Sequence, residues 1–262
     1  MTHRIAFIGF GTIGRDVARG LREHAGYRLA ALCRRADAPL DADMERLPTF
    51  QDLRHWEPGL VVEVASQKAV HEYAASVLRA GIPFLVSSVG ALADSTYVAH
   101  LREVAGASRA RIIVPSGAVA SLDYLRAIRT DPSAGVTYES RKPVAAWEHE
   151  LRAAGHDPSA LTHELVLYEG PADVAARKYP KNLNVAATLA LAGVGMDRTR
   201  VRVVADPGIS RNQHAVHVTG AAGSLQTQVI NQPAPSNPKT SAVVARSVCA
   251  AINHYFDPLL FI

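Results

Sequence analysis

Cysteine is scarce: the chain has two, Cys33 and Cys249, far apart in sequence. They make neither a disulfide framework nor paired metal spacing, and they point to a reducing compartment. A strong excess of one charge is also missing, since 28 Lys and Arg stand against 24 Asp and Glu, a net +4. The arginines are scattered rather than clustered, so a nucleic-acid partner is not expected. Long apolar runs are absent too. The most membrane-like stretch, Asn182 to Met196, is free of charge but 15 residues long, short of the roughly 20 a spanning helix needs. The start of the chain lacks the longer apolar core and small-residue cleavage site of a secretory signal. The histidines show no H-E-x-x-H or other paired ligand spacing, so no metal is expected. There is no internal repeat. A cytoplasmic protein with no membrane partner is the expectation.

What is present is ordinary globular composition, 48% apolar and 20% charged over 262 residues. Ile5–Ile8 is a continuous apolar run, as a strand covered on both faces requires. A glycine cluster follows, then a helix with Ile13, Val17, Ala18 and Leu21 on one stripe. Strands at Tyr27–Leu32, Leu60–Val64, Ile82–Val86 and Arg111–Val114 alternate with helices at Ala69–Leu78 and Tyr97–Val104. That rhythm predicts βαβ units and a doubly wound parallel sheet over residues 1–115. Beyond it a helix is read over Ala118–Ile128. Strands then dominate: Val136–Arg141, Glu164–Tyr168, Val201–Ala205, Ala215–Thr219 and Ser224–Ile230, with a helix at Leu183–Leu191. Residues 116–236 therefore read as an α+β domain with a mostly antiparallel sheet. Gln232–Ser236 reads as a linker. A last helix is read from Asn237 or Pro238, on their capping chemistry, with residues 237–262 packing back on the first domain.

Gly9-Phe-Gly-Thr-Ile-Gly14 matches G-x-G-x-x-G between a buried strand and an amphipathic helix, the context that gives the pattern meaning. Gly9 allows the turn, Gly11 lets backbone approach a pyrophosphate, and Gly14 lets helix and strand pack closely. The first helical N–H groups, at Thr12 and Ile13, would meet the phosphates. The alternative is a plain strand–helix turn. About 20 residues on, no carboxylate is placed to hold a ribose 2′-OH. Cys33 stands there, followed by Arg34 and Arg35. Two guanidiniums suit a 2′-phosphate, which favours NADP and leaves NAD open.

In Asn212–Val218 alternation puts His214 with Val216 and Val218 on one face, and Ala215 with His217 on the other. His214 is then either a satisfied core histidine or a catalytic one. Asn237-Pro-Lys-Thr-Ser241, read as a helix start, would suit a carboxylate through Asn237, Lys239 and Thr240, or would be only a cap. Pro180-Lys-Asn-Leu-Asn184 also opens a helix. Tyr138-Glu-Ser-Arg-Lys142 matches Y-x-x-x-K of short-chain dehydrogenases, but Val136, Thr137 and Pro143 argue for strand, where that pair needs a helix.

Together these segments resemble the L-aspartate dehydrogenase family. The resemblance rests on Gly9–Gly14, Glu63-Val-Ala-Ser66, Pro115-Ser-Gly-Ala-Val119, Tyr179-Pro-Lys-Asn-Leu-Asn-Val-Ala186, Ala205-Asp-Pro207 with Asn212-Gln-His214, and Asn237-Pro-Lys-Thr-Ser241, in family order over nearly the whole chain. It implies a Rossmann domain with an α+β domain, a dimer, and NAD(P)-dependent oxidation of L-aspartate to iminoaspartate, then oxaloacetate and ammonia. Iminoaspartate can also feed NAD biosynthesis. The family's active-site histidine falls on His214, and further cofactor contacts fall on Ala118 and Asn184. Ala65 and Ser66 join the cofactor set. Ser116, at the change of domain where a nicotinamide should meet substrate, joins Asn237, Lys239 and Thr240 as a substrate contact. Cys33 departs from the Asp many members carry. An imidazole near its ordinary pKa of ~6.5 would suit the amine and water steps. Rival readings are a dehydrogenase or reductase of another small dicarboxylate on the same architecture, and a non-catalytic cofactor sensor.

Overall fold

The structure is a computed structural model that describes residues 2–24, 26–33, 37–179, 184–234 and 237–260, with backbone alone for 237–239. The chain divides into two units, one up to Gly117 plus Ala245 onward, the other Ala118–Val244.

In the first unit, β1 (His3–Ile8) leads into α1 (Thr12–Arg22) and β2 (Tyr27–Leu32). There follow β3 (Glu45–Leu47), α2 (Phe50–His55), β4 (Leu60–Glu63), α3 (Gln67–Arg79), β5 (Phe84–Val86), α4 (Ser95–Ser108) and β6 (Ile112–Ile113). All neighbouring strands are parallel, in the order β3-β2-β1-β4-β5-β6. The order reverses between β1 and β4, and in such sheets ligands bind beyond the strand C-termini at that reversal. Ile5, Ala6 and Phe7 are fully buried, as are Leu60, Val61 and Val62. Two-sided cover explains why these strands are apolar without alternation. Each such large side chain contributes about 1.5–3 kcal/mol by leaving water. Val248 and Ile252 of the last helix belong to the same core as Ile5, Phe7 and Val17.

In the second unit come α5 (Leu122–Ile128), β7 (Gly135–Pro143), α6 (Glu148–Ala153), β8 (Leu165–Pro171), α7 (Ala172–Lys178), α8 (Asn184–Ala192), β9 (Thr199–Asp206), β10 (Asn212–Gly220) and β11 (Gly223–Asn231). The ribbon β12 (Pro233–Ala234) and β13 (Asn237–Ser241) precedes α9 (Val243–Phe256), which crosses into the first unit. The main sheet runs β11-β10-β7-β9-β8, antiparallel except for β7 with β9. Its inner face carries Val136, Tyr138, Val201, Val203, Val216 and Val218, packed on Leu125, Trp147, Ala175 and Leu189. No helix among the described residues is long and apolar enough to cross a membrane.

Several expectations need correction. The helix read over Ala118–Ile128 starts only at Leu122, because Ser121 takes a left-handed conformation with φ 78° that a helix cannot run through. The linker and helix start read over 232–241 are a β-ribbon. Pro233 pairs with Ser241 and Ala234 with Asn237, and the Ala242 N–H donates to the Gln232 carbonyl at 2.9 Å. The chain doubles back there, so the last helix waits until Val243. The short elements β3, α2, α6 and α7 carry no signal in the sequence, since each is too brief to show a period.

Candidate active site

The turn after β1 has the geometry its glycines suggest. Gly9 has φ 91°, and a Cβ placed on it would lie 2.5 Å from the Ala65 Cβ. Gly14 packs so closely that its Cβ would sit 2.9 Å from the Gly9 carbonyl oxygen. A Cβ on Gly11, by contrast, would meet nothing within 4 Å. Gly11 and Thr12 are exposed and Ile13 half-buried. No side chain caps α1 and no acidic residue stands in its first turn. The opening N–H groups of the helix, with their partial positive charge, are left for an anion. Open space above Gly11 and an uncapped, acid-free helix start fit a dinucleotide pyrophosphate.

The other first-unit candidates fall as follows. Ala65 and Ser66 form the exposed loop after β4, and the Ser66 hydroxyl caps α3 by accepting from the Ala69 N–H at 3.3 Å. Arg34 and Arg35 lie outside the described residues. Cys33 is buried, its N–H donating to the Leu47 carbonyl at 2.9 Å. Ser116 is exposed, its hydroxyl 3.0 Å from that of Ser247.

In the second unit the inner sheet face is apolar at one end and polar at the other. Alternation holds through β10: Asn212, His214, Val216 and Val218 are buried, and His217 is exposed. Across the ladder His214 faces Ser140 and Val216 faces Tyr138. On β7 the residues Tyr138, Ser140 and Lys142 share that inner face, being two apart. His214 is 3% exposed and Lys142 4%. The Tyr138 hydroxyl lies 2.8 Å from His214 Nδ1, and the Lys142 ammonium lies 5.2 Å from the centre of the Trp147 ring. Among the described residues, His214 Nε2, Ser140 Oγ and Trp147 Nε1 are buried with no hydrogen-bond partner. Such atoms are rare in native proteins and mark places where a water or ligand belongs.

Burial, helped by the positive charge of Lys142, lowers the His214 pKa to about 3. The expectation of an ordinary imidazole near 6.5 is therefore corrected: desolvation disfavours the cation, and a nearby cation disfavours it further. Burial raises the Tyr138 pKa strongly, so it stays a neutral phenol.

Ala118 is buried, and its carbonyl accepts from Asn231 Nδ2 at 2.9 Å. Asn184 opens α8, and its carbonyl accepts from the Thr188 hydroxyl at 2.9 Å. Thr240 is half-buried in β13. The side chains of Asn237 and Lys239 lie outside what is described. The helix N-terminus read over 237–241 is not there, because those residues are strand.

Sequence reading missed Tyr138 and Lys142 as neighbours of His214. Their signal was present in the Y-x-x-x-K match, which on a strand puts both residues on one face.

Residues 123–255 match the family model described as aspartate dehydrogenase, C-terminal, and residues 9–115 match that of the homoserine dehydrogenase NAD-binding domain. The chain is 52% identical to L-aspartate dehydrogenase 2 of Bordetella bronchiseptica over 260 residues, covering 97% of both chains. It is 38% identical to L-aspartate dehydrogenase of Pseudomonas aeruginosa over 262 residues, covering 96% of this chain and 97% of that one. The crystal structure of aspartate dehydrogenase from Thermotoga maritima superposes with a TM-score of 0.77 at 26% identity, covering all of both chains. A hyperthermophilic archaeal homoserine dehydrogenase, solved in complex with NADPH, shares the fold at a TM-score of 0.59 and 14% identity.

Proposed function

We propose, since this chain belongs to the L-aspartate dehydrogenase family, that it oxidises L-aspartate to iminoaspartate with NAD or NADP, water then giving oxaloacetate and ammonia. The nicotinamide, when bound, supplies the hydride acceptor for the substrate Cα. The turn Gly9–Gly14 and the start of α1 would hold its pyrophosphate, the fit described above supporting that assignment.

The observation that carries the catalytic part is the state of His214. Its ring is neutral, anchored at Nδ1 by Tyr138, and its Nε2 has no protein partner. In this reading Nδ1–H donates to the Tyr138 oxygen, which leaves the Nε2 lone pair as the base. Nε2 takes a proton from the substrate amine or from the water that attacks the imine. A pKa of about 3 in the free protein makes a weak base. The two carboxylates of the substrate beside it would offset the field of Lys142 and raise its basicity. Lys142, a cation on the same face, is then the natural partner for a substrate carboxylate.

Release of iminoaspartate before water attacks it would feed NAD biosynthesis, and the same reading carries a homodimer working in the cytoplasm. Family resemblance supports both.

The test is a set of steady-state rates with L-aspartate and each of NAD and NADP, alongside D-aspartate and L-homoserine. Activity with L-aspartate that is lost or much reduced with the other two is expected. A preference for L-homoserine would overturn the substrate assignment. Dinucleotide binding with no amino acid oxidised would support a sensor instead.

A further inference from the structure

Glu63 is the last residue of β4, beside β1 where the strand order reverses, and it is fully buried. A buried carboxylate is costly unless donors surround it. Here Oε1 accepts from the Ala65 and Ser66 N–H groups at 2.8 Å each and from the Ser88 hydroxyl at 2.9 Å. Oε2 accepts from the Ser88 N–H at 3.0 Å. One side chain thus ties the loop after β4 to the loop after β5. The first of these loops is what the glycine turn rests on. A Cβ on Gly9 would strike Ala65 at Cβ, Cα and N, at 2.5, 2.8 and 3.0 Å, and one on Gly14 would lie 3.4 Å from Val64 Cγ2. Moving Ala65 by a few tenths of an ångström therefore moves the floor of the turn.

We propose that Glu63 is the positioning residue of the dinucleotide site: its carboxylate holds both loops so that the turn keeps its pyrophosphate-accepting shape, without itself touching the cofactor. The proposal rests on the reading of Gly9–Gly14 as the dinucleotide turn. Burial pushes the carboxyl up from its ordinary range, and the Ser88, Ala65 and Ser66 donors act against that push. Three of the four donors meet Oε1 and one meets Oε2, and all four favour the ionised carboxylate.

Glu63→Gln is the informative variant. An amide of nearly the same size has one oxygen and one NH2, so in either orientation an NH2 faces a backbone N–H: that of Ser88, or those of Ala65 and Ser66. The readouts are the Kd of NADPH and NADH from nicotinamide fluorescence, and KM and kcat for each substrate. The expected result is about a tenfold weaker Kd, about 1.4 kcal/mol. The kcat at saturation and the KM for L-aspartate should stay within twofold of wild type. Ser88→Ala, which removes only the hydroxyl donor, should weaken dinucleotide binding about two- to threefold. A Glu63→Gln protein with lower thermal stability but unchanged dinucleotide Kd would show a merely structural role and overturn the proposal. So would a fall in kcat with cofactor binding intact. If Glu63→Gln yields no folded protein, Ser88→Ala decides alone, and unchanged affinity there overturns the proposal. Wild type that binds neither dinucleotide would sink the reading of the turn itself, which is distinguishable from a loss confined to the variants.

Discussion

The Tyr138 hydroxyl meets Nδ1 of His214 at 2.8 Å, with the two rings nearly parallel at 13° and their centres 6.0 Å apart. The residues are 76 positions apart in sequence. Adjacent strands β7 and β10 carry them, and the contact leaves Nε2 as the ring nitrogen without a protein partner among the described residues.

Replacing His214 with Ala should lower kcat for L-aspartate by 10²- to 10⁴-fold, the usual range for a general base. Cofactor affinity should be unchanged, since the turn that would bind it lies in the other unit. Turnover within threefold of wild type would remove His214 from the mechanism.

Tyr138→Phe leaves Nδ1 buried without its partner. A stability loss of about 1–3 kcal/mol is expected from denaturant unfolding. A fall in kcat should accompany it, because the ring loses the bond that sets its tautomer. Full activity in this variant would show that the Nδ1 contact is packing only.

His214 should also leave a mark on stability against pH. Its folded pKa of about 3 lies below the ordinary 6.5, so on acidification the unfolded chain takes up the proton first. Its contribution is intact above ~6.5 and lost as pH falls towards about 3, with a slope of up to about 1.4 kcal/mol per pH unit. Unfolding free energies measured from pH 7 to 4 should fall less steeply in His214→Asn. Lys142→Met should raise the His214 pKa, read from its imidazole NMR shifts, because one of the two causes of its depression is gone.

Gly9 and Gly11 should separate structure from binding. Gly9→Ala places a methyl on Ala65 at a positive φ, so a large stability loss is expected. Gly11→Ala meets no protein atom. Its thermal stability should stay near wild type while cofactor KM rises about tenfold or more, the methyl occupying the approach a pyrophosphate needs. Equal cofactor affinity in Gly11→Ala and wild type would count against the turn as the phosphate site.

Arg34 and Arg35 are proposed, from the sequence alone, as partners of a 2′-phosphate. Changing both to Ala should raise the KM for NADP more than that for NAD, because only NADP carries a 2′-phosphate for a guanidinium to grip. An equal loss with both coenzymes would remove that argument.

Much of the first unit was legible because its signals are local. A strand buried on both faces is apolar without interruption, as Ile5–Ile8 is, and the glycine spacing sits between it and an amphipathic stripe within 20 residues. Alternation alone also put His214 on an inner face, which its burial bears out. Short-range pattern reaches the β10–β11 hairpin, but it could not say that β7 lies on the other side of β10. That depends on the order β11-β10-β7-β9-β8, in which β7, at 135–143, pairs with strands at 199–206 and 212–220. The pairing brings Tyr138 to His214, places Lys142 on the same face and, through burial, takes the imidazole pKa from 6.5 to about 3. The donors around Glu63 and the ribbon at 237–241 are likewise products of chain segments meeting after folding. Amino-acid order therefore determined the glycine turn and the identity of the imidazole. Only the assembled sheets decided its partners, its charge state and the clamp beneath the turn, because desolvation and hydrogen-bond geometry exist only once distant strands are packed together.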